Sequence, residues 1–425
     1  MPLFFYGQSE GELYYAEVDE IKLDHEFIDH KVDSIMTNGI KQNAFPGAQL
    51  LVAQNNKIIF HKAYGFHSYD SIQKVELNDV YDMASVTKIA GPLLAIMKLY
   101  DQRLIDLDVP FSTYWTSWKH RKDKKNITLR ELLAHQSGME PYIVFLNEAT
   151  KKGEFKRRFL RTEKSGRFQK QVYDSIYVKN RFARKIYRHI KRSKVRKEKK
   201  YLYSGLASLI YPQLIEELTN EPYESYMKRH FYDPIGCETL GYNPMSKGIT
   251  NIVPTEFDSV FRKTTVRGWV HDENAALLGG VSGNAGLFGS ATDLAKLMQM
   301  LVQKGYYNGK QYFSEETVNE FIKVQYPENL NRRGLGFDKP LLGNDTLSLK
   351  ASYPAPEVGK SSFGHAGFTG TFVWADPENQ MIFIFLSNRV NPTRLNRNIY
   401  NLNIRPSLQH VFYLASKPKP KLINN

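Results

Sequence analysis

The chain of 425 residues has one cysteine, Cys237. That excludes an internal disulfide and any metal site built from several thiolates. No apolar run approaches the ~20 residues that a membrane-spanning helix needs, and no segment repeats. The opening Met1-Pro2-Leu3-Phe4-Phe5-Tyr6 is too short for a secretory leader. The expectation is therefore either a cytoplasmic protein or one whose leader is missing from this chain. Acidic residues are scarce in one stretch: between Lys151 and Lys200 there are 21 Lys/Arg and 4 Asp/Glu. The formal net charge of +14 is thus concentrated there, and the remaining residues sum to near −3.

What is present describes a folded, water-compatible chain. Hydrophobic residues make up 42% and charged residues 24%, as in ordinary globular domains. The length allows two structural regions and a large core. Asp24 to Ile40 reads as an amphipathic helix capped by Asp24, because Phe27, Ile28, Val32, Ile35, Met36 and Ile40 recur at helical spacing. Ala48–Ala53 and Lys57–Tyr64 read as a hairpin around Asn55-Asn56, a pair that tolerates positive φ. Helices are expected from Ser85 to about Asp101, over Thr128–Ala134, Tyr201–Leu218 and Tyr223–Phe231, and from a Ser290 cap through Leu301. Phe363–Trp374 and Met381–Asn388 read as terminal strands.

Strands at both ends with helices between them predict an α/β (α+β) fold. An antiparallel sheet would be built from both chain ends and flanked by helices. The divisions expected are a lead-in over 1–23, a domain over 24–411 and a tail over 412–425. Within the domain, 24–110 and 290–411 form the α/β part. An inserted, mostly helical part covers about 111–289 and includes the basic segment 151–200, whose apolar residues suit partly buried helices.

The chemistry-bearing stretch is Ser85-Val86-Thr87-Lys88. A three-residue step puts both side chains on one helix face, where an amine can activate an otherwise weak hydroxyl nucleophile. Ser71-Ile72-Gln73-Lys74 and Ser416-Lys417-Pro418-Lys419 match the same pattern. Only Ser85 opens an apolar helical run; Ser71 lies in a polar link and Ser416 in a Lys/Pro tail expected to be disordered.

Three features follow in order: Leu132-Leu133-Ala134-His135-Gln136-Ser137-Gly138, Tyr203-Ser204-Gly205 and His365-Ala366-Gly367. Together with Ser85-x-x-Lys88 they resemble the serine β-lactamase/penicillin-binding-protein superfamily, specifically the class C β-lactamase-like branch of esterases and D-peptidases. The resemblance runs from about Asp24 to Val411. Val270 to Gly280 and Gly286-Leu287-Phe288 resemble bacterial serine hydrolase modules fused behind glycoside-hydrolase domains. This implies a β-lactamase/transpeptidase-like fold, no metal or other cofactor, a small-molecule or peptide substrate, and a periplasmic or extracytoplasmic place of work.

The resemblance also implies roles. Ser85 would be acylated, Lys88 would take or polarise its proton, and Tyr203 would carry protons between nucleophile, leaving group and water. His365 would contact a substrate carboxylate or orient Tyr203. The backbone N–H groups of Ser85 and Phe368, after Gly367, would form the oxyanion hole. Two departures matter. Gly205 stands where this branch has asparagine, and Asn274 is a candidate to replace that amide. No Lys-Thr-Gly occurs, and His365 stands in place of the lysine that pairs with a β-lactam carboxylate. Weak or no β-lactamase activity is therefore expected. Tyr306-Tyr307-Asn308 is a formal Tyr-x-Asn in a turn, and Tyr203 is preferred to it.

His135 is read as a structural residue under the site. His271-Asp272-Glu273 could imitate metal ligands, but adjacent residues rarely converge on one ion. The glycine-rich Leu278–Gly286 lacks the Gly-Lys-Ser/Thr ending of a phosphate loop. The basic segment is read as a solvated face, as a contact for an anionic polymer or membrane surface, or as a cleft wall. No nucleic-acid module accompanies it. The alternative function is a catalytically weak protein that holds cell-wall or other anionic material through 151–200.

Overall fold

The computed structural model describes residues 11–17, 20 and 23–416. In chain order the main elements are strand β1 (Tyr14–Tyr15), helix α1 (His25–Lys41), strands β2 (Gly47–Gln54) and β3 (Lys57–Gly65), and helices α2 (Thr87–Ala90) and α3 (Pro92–Asp101). Helices α4 (Phe182–Arg192) and α5 (Ala291–Val302) follow. Three sheet strands come next, β4 (Phe363–Ala366), β5 (Phe372–Asp376) and β6 (Met381–Ser387), and then helix α6 (Ile404–Ala415).

The main sheet has the order β1-β3-β2-β6-β5-β4, so strands from the two chain ends meet at β2 and β6. β1 pairs with β3 in parallel and the other pairings are antiparallel. In β6, Ile384 faces Leu51 on one side and Val373 on the other. Alternate residues of the central strands enter different cores. Leu50, Val52, Phe383 and Phe385 pack with Ile28, Val32 and Met36 of α1 and Leu408 and Phe412 of α6. Leu51, Ile382, Ile384 and Leu386 join the larger core with α3 and α5. Helices on both faces explain why β2 and β6 are near-continuous apolar runs instead of alternating ones. Each such buried side chain contributes about 1.5–3 kcal/mol.

Local chemistry sets several boundaries. The Asp24 side chain accepts from the Phe27 N–H at the start of α1. Asn55 and Asn56 take φ of 52° and 66° in the β2–β3 turn. Thr128 and Glu131 form a reciprocal capping box on the helix Leu129–Leu133.

Several expectations change. The Ser85 run is two helices, broken at Gly91. A Cβ there would lie 2.7 Å from the Thr87 carbonyl and 2.9 Å from the Tyr223 and Tyr242 hydroxyls, and Pro92 restarts the helix. Phe363–Trp374 is two strands joined by a turn at 367–371, where Gly370 has a φ of +126°. Tyr201–Leu206 is not helical; the helix there is Tyr211–Thr219. The basic segment is helical only in α4, which buries Phe182, Ile186 and Ile190 as expected. Thr150–Lys151 pairs with Glu154–Phe155, and Leu160–Arg161, Ile176–Val178 and Lys170–Tyr173 form a small three-stranded sheet before α4. Its apolar residues follow a two-residue period, Ile176 and Val178 being buried about a half-buried Tyr177. The inserted part is accordingly mixed. At the ends, β1 lies within the expected lead-in, and α6 carries the fold past residue 411, with Phe412 and Tyr413 buried. The expected tail beyond Ser416, like residues 1–10, lies outside the described residues. Among the described residues no helix is long and apolar enough to cross a membrane.

Candidate functional site

Ser85 sits in a 3-10 turn, Ala84–Val86, that leads into α2. Ala84 just before it has a φ of +44°, a conformation that costs an L-residue and survives only where its surroundings impose it. Those surroundings are visible. The buried Asp82 carboxylate accepts from the Ala84 N–H at 2.8 Å and from the His271 N–H at 2.7 Å. Burial pushes the Asp82 carboxyl above its usual range, opposed by those bonds. Across the turn, Thr369 Oγ1 donates to the Asp82 carbonyl and Thr371 Oγ1 to the Met83 carbonyl.

The β4–β5 turn thereby lies against the nucleophile turn, and Gly367 is the point of closest approach. A Cβ there would be 2.0 Å from Thr371 Oγ1 and 2.6 Å from the Met83 carbonyl. Gly367→Ala is expected to force the two turns apart and destabilise the fold by about 1–3 kcal/mol. The check is a thermal melt, with the variant unfolding below the parent.

One face of α2 brings Lys88 back to Ser85. Lys88 Nζ donates to Ser85 Oγ at 2.9 Å and to the Asn284 carbonyl at 3.0 Å. The glycine-rich loop therefore serves as a wall that anchors the amine. Gly283 packs so closely on the Ser208 carbonyl, 2.2 Å from where a Cβ would stand, that no side chain fits there. Asn284 itself is held by Ser282 and Asp272.

Tyr203 approaches from the extended segment after the basic region, and its hydroxyl donates to Ser85 Oγ at 3.2 Å. His135, at φ +54°, accepts from the Ser204 N–H through Nδ1 and lies 4.4 Å from the Tyr203 ring, centre to centre. The buried Arg333 guanidinium stands 5.2 Å from the same ring. Burial alone would raise the Tyr203 phenol. The positive charges of Lys88 and Arg333 and the bond to Ser85 outweigh it and lower the phenol below its usual value.

His365 is not on the cavity wall. It is buried behind Tyr203, ring centres 6.1 Å apart, with Nδ1 bonded to its neighbour's carbonyl and Nε2 without a partner among the described residues. Of its two expected roles, a carboxylate contact and the orientation of Tyr203, this position suits the second. Burial, with Arg333 and Lys88 nearby, holds its imidazole well below the usual histidine range, and His135 is shifted the same way.

Ser85, Lys88, Tyr203 and Phe368 all line a cavity of about 700 Å³, a volume suited to a small-molecule site. Gly205 lines it too, and a Cβ there would touch nothing within 4 Å. Asn274 does not replace the absent amide, because its own amide is spent on Ile143 and Phe145 of a neighbouring loop. Tyr306 and Tyr307 lie in a separate hairpin, and the buried Tyr307 hydroxyl accepts from the Leu13 N–H. His271, Asp272 and Glu273 all line the cavity but take different partners. His271 stands 3.0 Å from Glu256, Asp272 caps Ala275, and Glu273 pairs with Arg394.

The residues missed by sequence reasoning are Asp82, Asn284 and Arg333. Arg333 reaches Tyr203 because Asn331 ties its loop to the Ala134 carbonyl and the Gln136 side chain, a long-range contact that no local pattern announces.

The sequence model described as Beta-lactamase matches residues 32–404. A curated protein of Salmonella gallinarum named "Putative D-alanyl-D-alanine carboxypeptidase" is 28% identical over 93% of this chain and 91% of its own length. Among solved structures, a class C beta lactamase from Rhodobacter sphaeroides has a TM-score of 0.63 at 13% identity, covering 90% of this chain and 99% of that one. "EstCE1, a hydrolase with promiscuous acyltransferase activity" has a TM-score of 0.64 at 16% identity, covering 90% of this chain and 98% of that one.

Proposed function

Because the chain belongs to the Beta-lactamase family, we propose that it is a serine hydrolase that forms an acyl-enzyme at Ser85 and cleaves an ester or amide. The observation that carries this reading is the position of Ser85 Oγ, within hydrogen-bond reach of both Lys88 Nζ and Tyr203 Oη on the wall of the cavity.

In this reading Ser85 Oγ attacks the substrate carbonyl and its proton passes to Tyr203 or Lys88. The Ser85 and Phe368 N–H groups hold the developing oxyanion. Tyr203 returns the proton to the leaving group, and water then repeats the sequence on the acyl-enzyme. His135 and His365 position Tyr203, and the Arg333 charge lowers its phenol, without touching substrate.

The cavity's charge bears on the substrate. Glu256, Asp258, Asp272 and Glu273 line it, whereas its cations are Lys88 and Arg394, and Arg394 is tied to Glu256 and Glu273. Tyr142, Val144, Phe257, Val260 and Leu395 add exposed apolar surface at its edge. That supports a neutral substrate with an apolar group over one with a free carboxylate, and so weak or no β-lactamase activity. The names of the curated relatives favour a second reading, release of the terminal residue from a D-alanyl-D-alanine stem.

The test is a fluorophosphonate probe followed by peptide mapping, with a panel of p-nitrophenyl esters, D-aminoacyl amides, D-Ala-D-Ala and nitrocefin. The expected outcome is a single adduct on Ser85 and turnover of esters above nitrocefin. An unlabelled serine and no turnover across the panel would sink the proposal, and preferential release of D-Ala would replace it with the second reading.

A further inference from the structure

The basic segment folds into a concave site of its own, of about 860 Å³, which shares no lining residue with the Ser85 cavity. Arg167, Lys179, Arg181, Arg184, Lys185 and Arg188 line it, and no carboxylate does. Among the described residues, Lys185 is the one member of this set in an ion pair, with Glu148 at 2.6 Å. Five cations thus face one concavity with no opposite charge between them.

The four arginines are exposed, and the backbone that carries them is fixed by hydrogen bonds. The Asn180 side chain accepts from the Gln169 N–H and donates to the Gly166 carbonyl, and its own N–H donates to the Arg167 carbonyl. These bonds fix the Ser165–Phe168 turn, and Arg167 with it, against the start of α4. The Lys179 N–H is bonded to the Phe159 carbonyl. Phe159 and Phe182 meet edge to face at the floor. On α4, Phe182, Ile186 and Ile190 are buried, and Arg181, Arg184, Lys185 and Arg188 recur at helical spacing into the concavity.

A second observation points the same way. The first turn of α4 carries Arg184 and Lys185 after Arg181 at the cap, with no acidic residue. Helix N-termini favour negative charge, and cations there oppose the macrodipole. The repulsion among these cations, and between them and the helix end, costs stability that an anion would restore. Four of the six cations are arginines, whose planar forks suit phosphate oxygens.

We infer that this concavity binds a compact ligand carrying several phosphate groups, at a site separate from the Ser85 chemistry. A pocket of this size, walled on two sides and floored by aromatics, suits a discrete ligand better than a flat membrane or a long nucleic-acid strand.

The experiment is calorimetric titration of the full chain with sodium tripolyphosphate over a series of salt concentrations. Binding is expected to weaken steeply as salt rises. Arg181→Gln with Arg184→Gln is expected to weaken it by at least about tenfold and to flatten the salt slope by about two. Lys194→Gln with Lys197→Gln removes the same charge from exposed positions outside the concavity and is expected to leave binding within about twofold. Far-UV circular dichroism and the melting temperature establish that each variant is folded; if the first pair fails to fold, Arg184→Gln with Arg188→Gln replaces it. Equal weakening by the two sets would overturn the site in favour of diffuse charge. So would the absence of tripolyphosphate binding. Binding to phosphatidylglycerol vesicles or to a single-stranded oligonucleotide that saturating tripolyphosphate fails to displace would overturn it in favour of a membrane or a nucleic acid.

Discussion

Ser85→Ala should reduce turnover of the best panel ester by at least about three orders of magnitude, a loss near 4 kcal/mol of transition-state stabilisation. The substitution removes one oxygen and leaves the turn intact, since Asp82, Thr369 and Thr371 hold the backbone and not the Ser85 side chain. The melting temperature should therefore stay within a few degrees of the parent. Lys88→Met should cost a similar factor. Its amine is the link between Ser85 Oγ and the Asn284 carbonyl, and an apolar chain of similar length leaves that carbonyl without its donor. The double variant Ser85→Ala, Lys88→Met should be no slower than the worse single one, because residues acting as one unit lose their effect together. Steady-state kinetics of all three variants check this. Additive losses would mean that the two side chains serve separate steps. Undiminished turnover in Ser85→Ala would remove the nucleophile assignment itself.

How far the sequence reaches depends on the range of the interaction concerned. The α1 helix, the β2–β3 turn and the Ser290 cap were legible, because each is written in a few neighbouring residues: Asp24 over Phe27, Asn55-Asn56, and Ser290 under Asp293. The two-ended sheet was legible because β2 and β6 are apolar on both faces. The meeting of Ser85 with Lys88 follows from helical spacing, and Tyr203 was reachable through resemblance alone, as 118 residues separate it from the serine. The misread parts are those decided by tertiary contacts. At the break, the need for glycine at position 91 is set by the Tyr223 and Tyr242 hydroxyls that a Cβ would meet. Asn274 looked available in sequence, and only the fold reveals that its amide holds the Ile143–Phe145 loop. In the basic segment apolar content without its period points to helices throughout; α4 is one, with Phe182, Ile186 and Ile190 buried, while the part before it is stranded. Its charge, readable as a solvated face, an anionic contact or a cleft wall, is shaped by the turn at Ser165–Phe168 and the start of α4 into a concavity.

Tyr203→Phe should lower ester turnover by about 10²–10⁴-fold, the usual worth of a positioned proton carrier, and should change the pH profile as well as the rate. The phenol lies below its ordinary value because Lys88 and Arg333 outweigh burial. If the phenolate is the base, activity rises with pH through that lowered value and levels above it. In Tyr203→Phe this rise should vanish while the melting temperature changes little. The two imidazoles nearby produce no competing inflection in the neutral range. Burial holds both His135 and His365 well below 6.5, so they stay neutral where the activity limb is measured. Their effect appears in stability. Below a pH of about 6.5 the unfolded chain protonates both rings while the folded chain excludes those protons, so the unfolded state binds more protons and stability falls as pH falls. His365→Gln should remove part of this acid sensitivity and leave the alkaline limb in place, since the ring lies behind the tyrosine and off the cavity wall. Arg333→Met should do the opposite. Removing that cation lets burial push the phenol back up, and the activity limb moves to higher pH. A limb that stays fixed in Arg333→Met would show that the phenolate is not the base, and would leave the proton with Lys88.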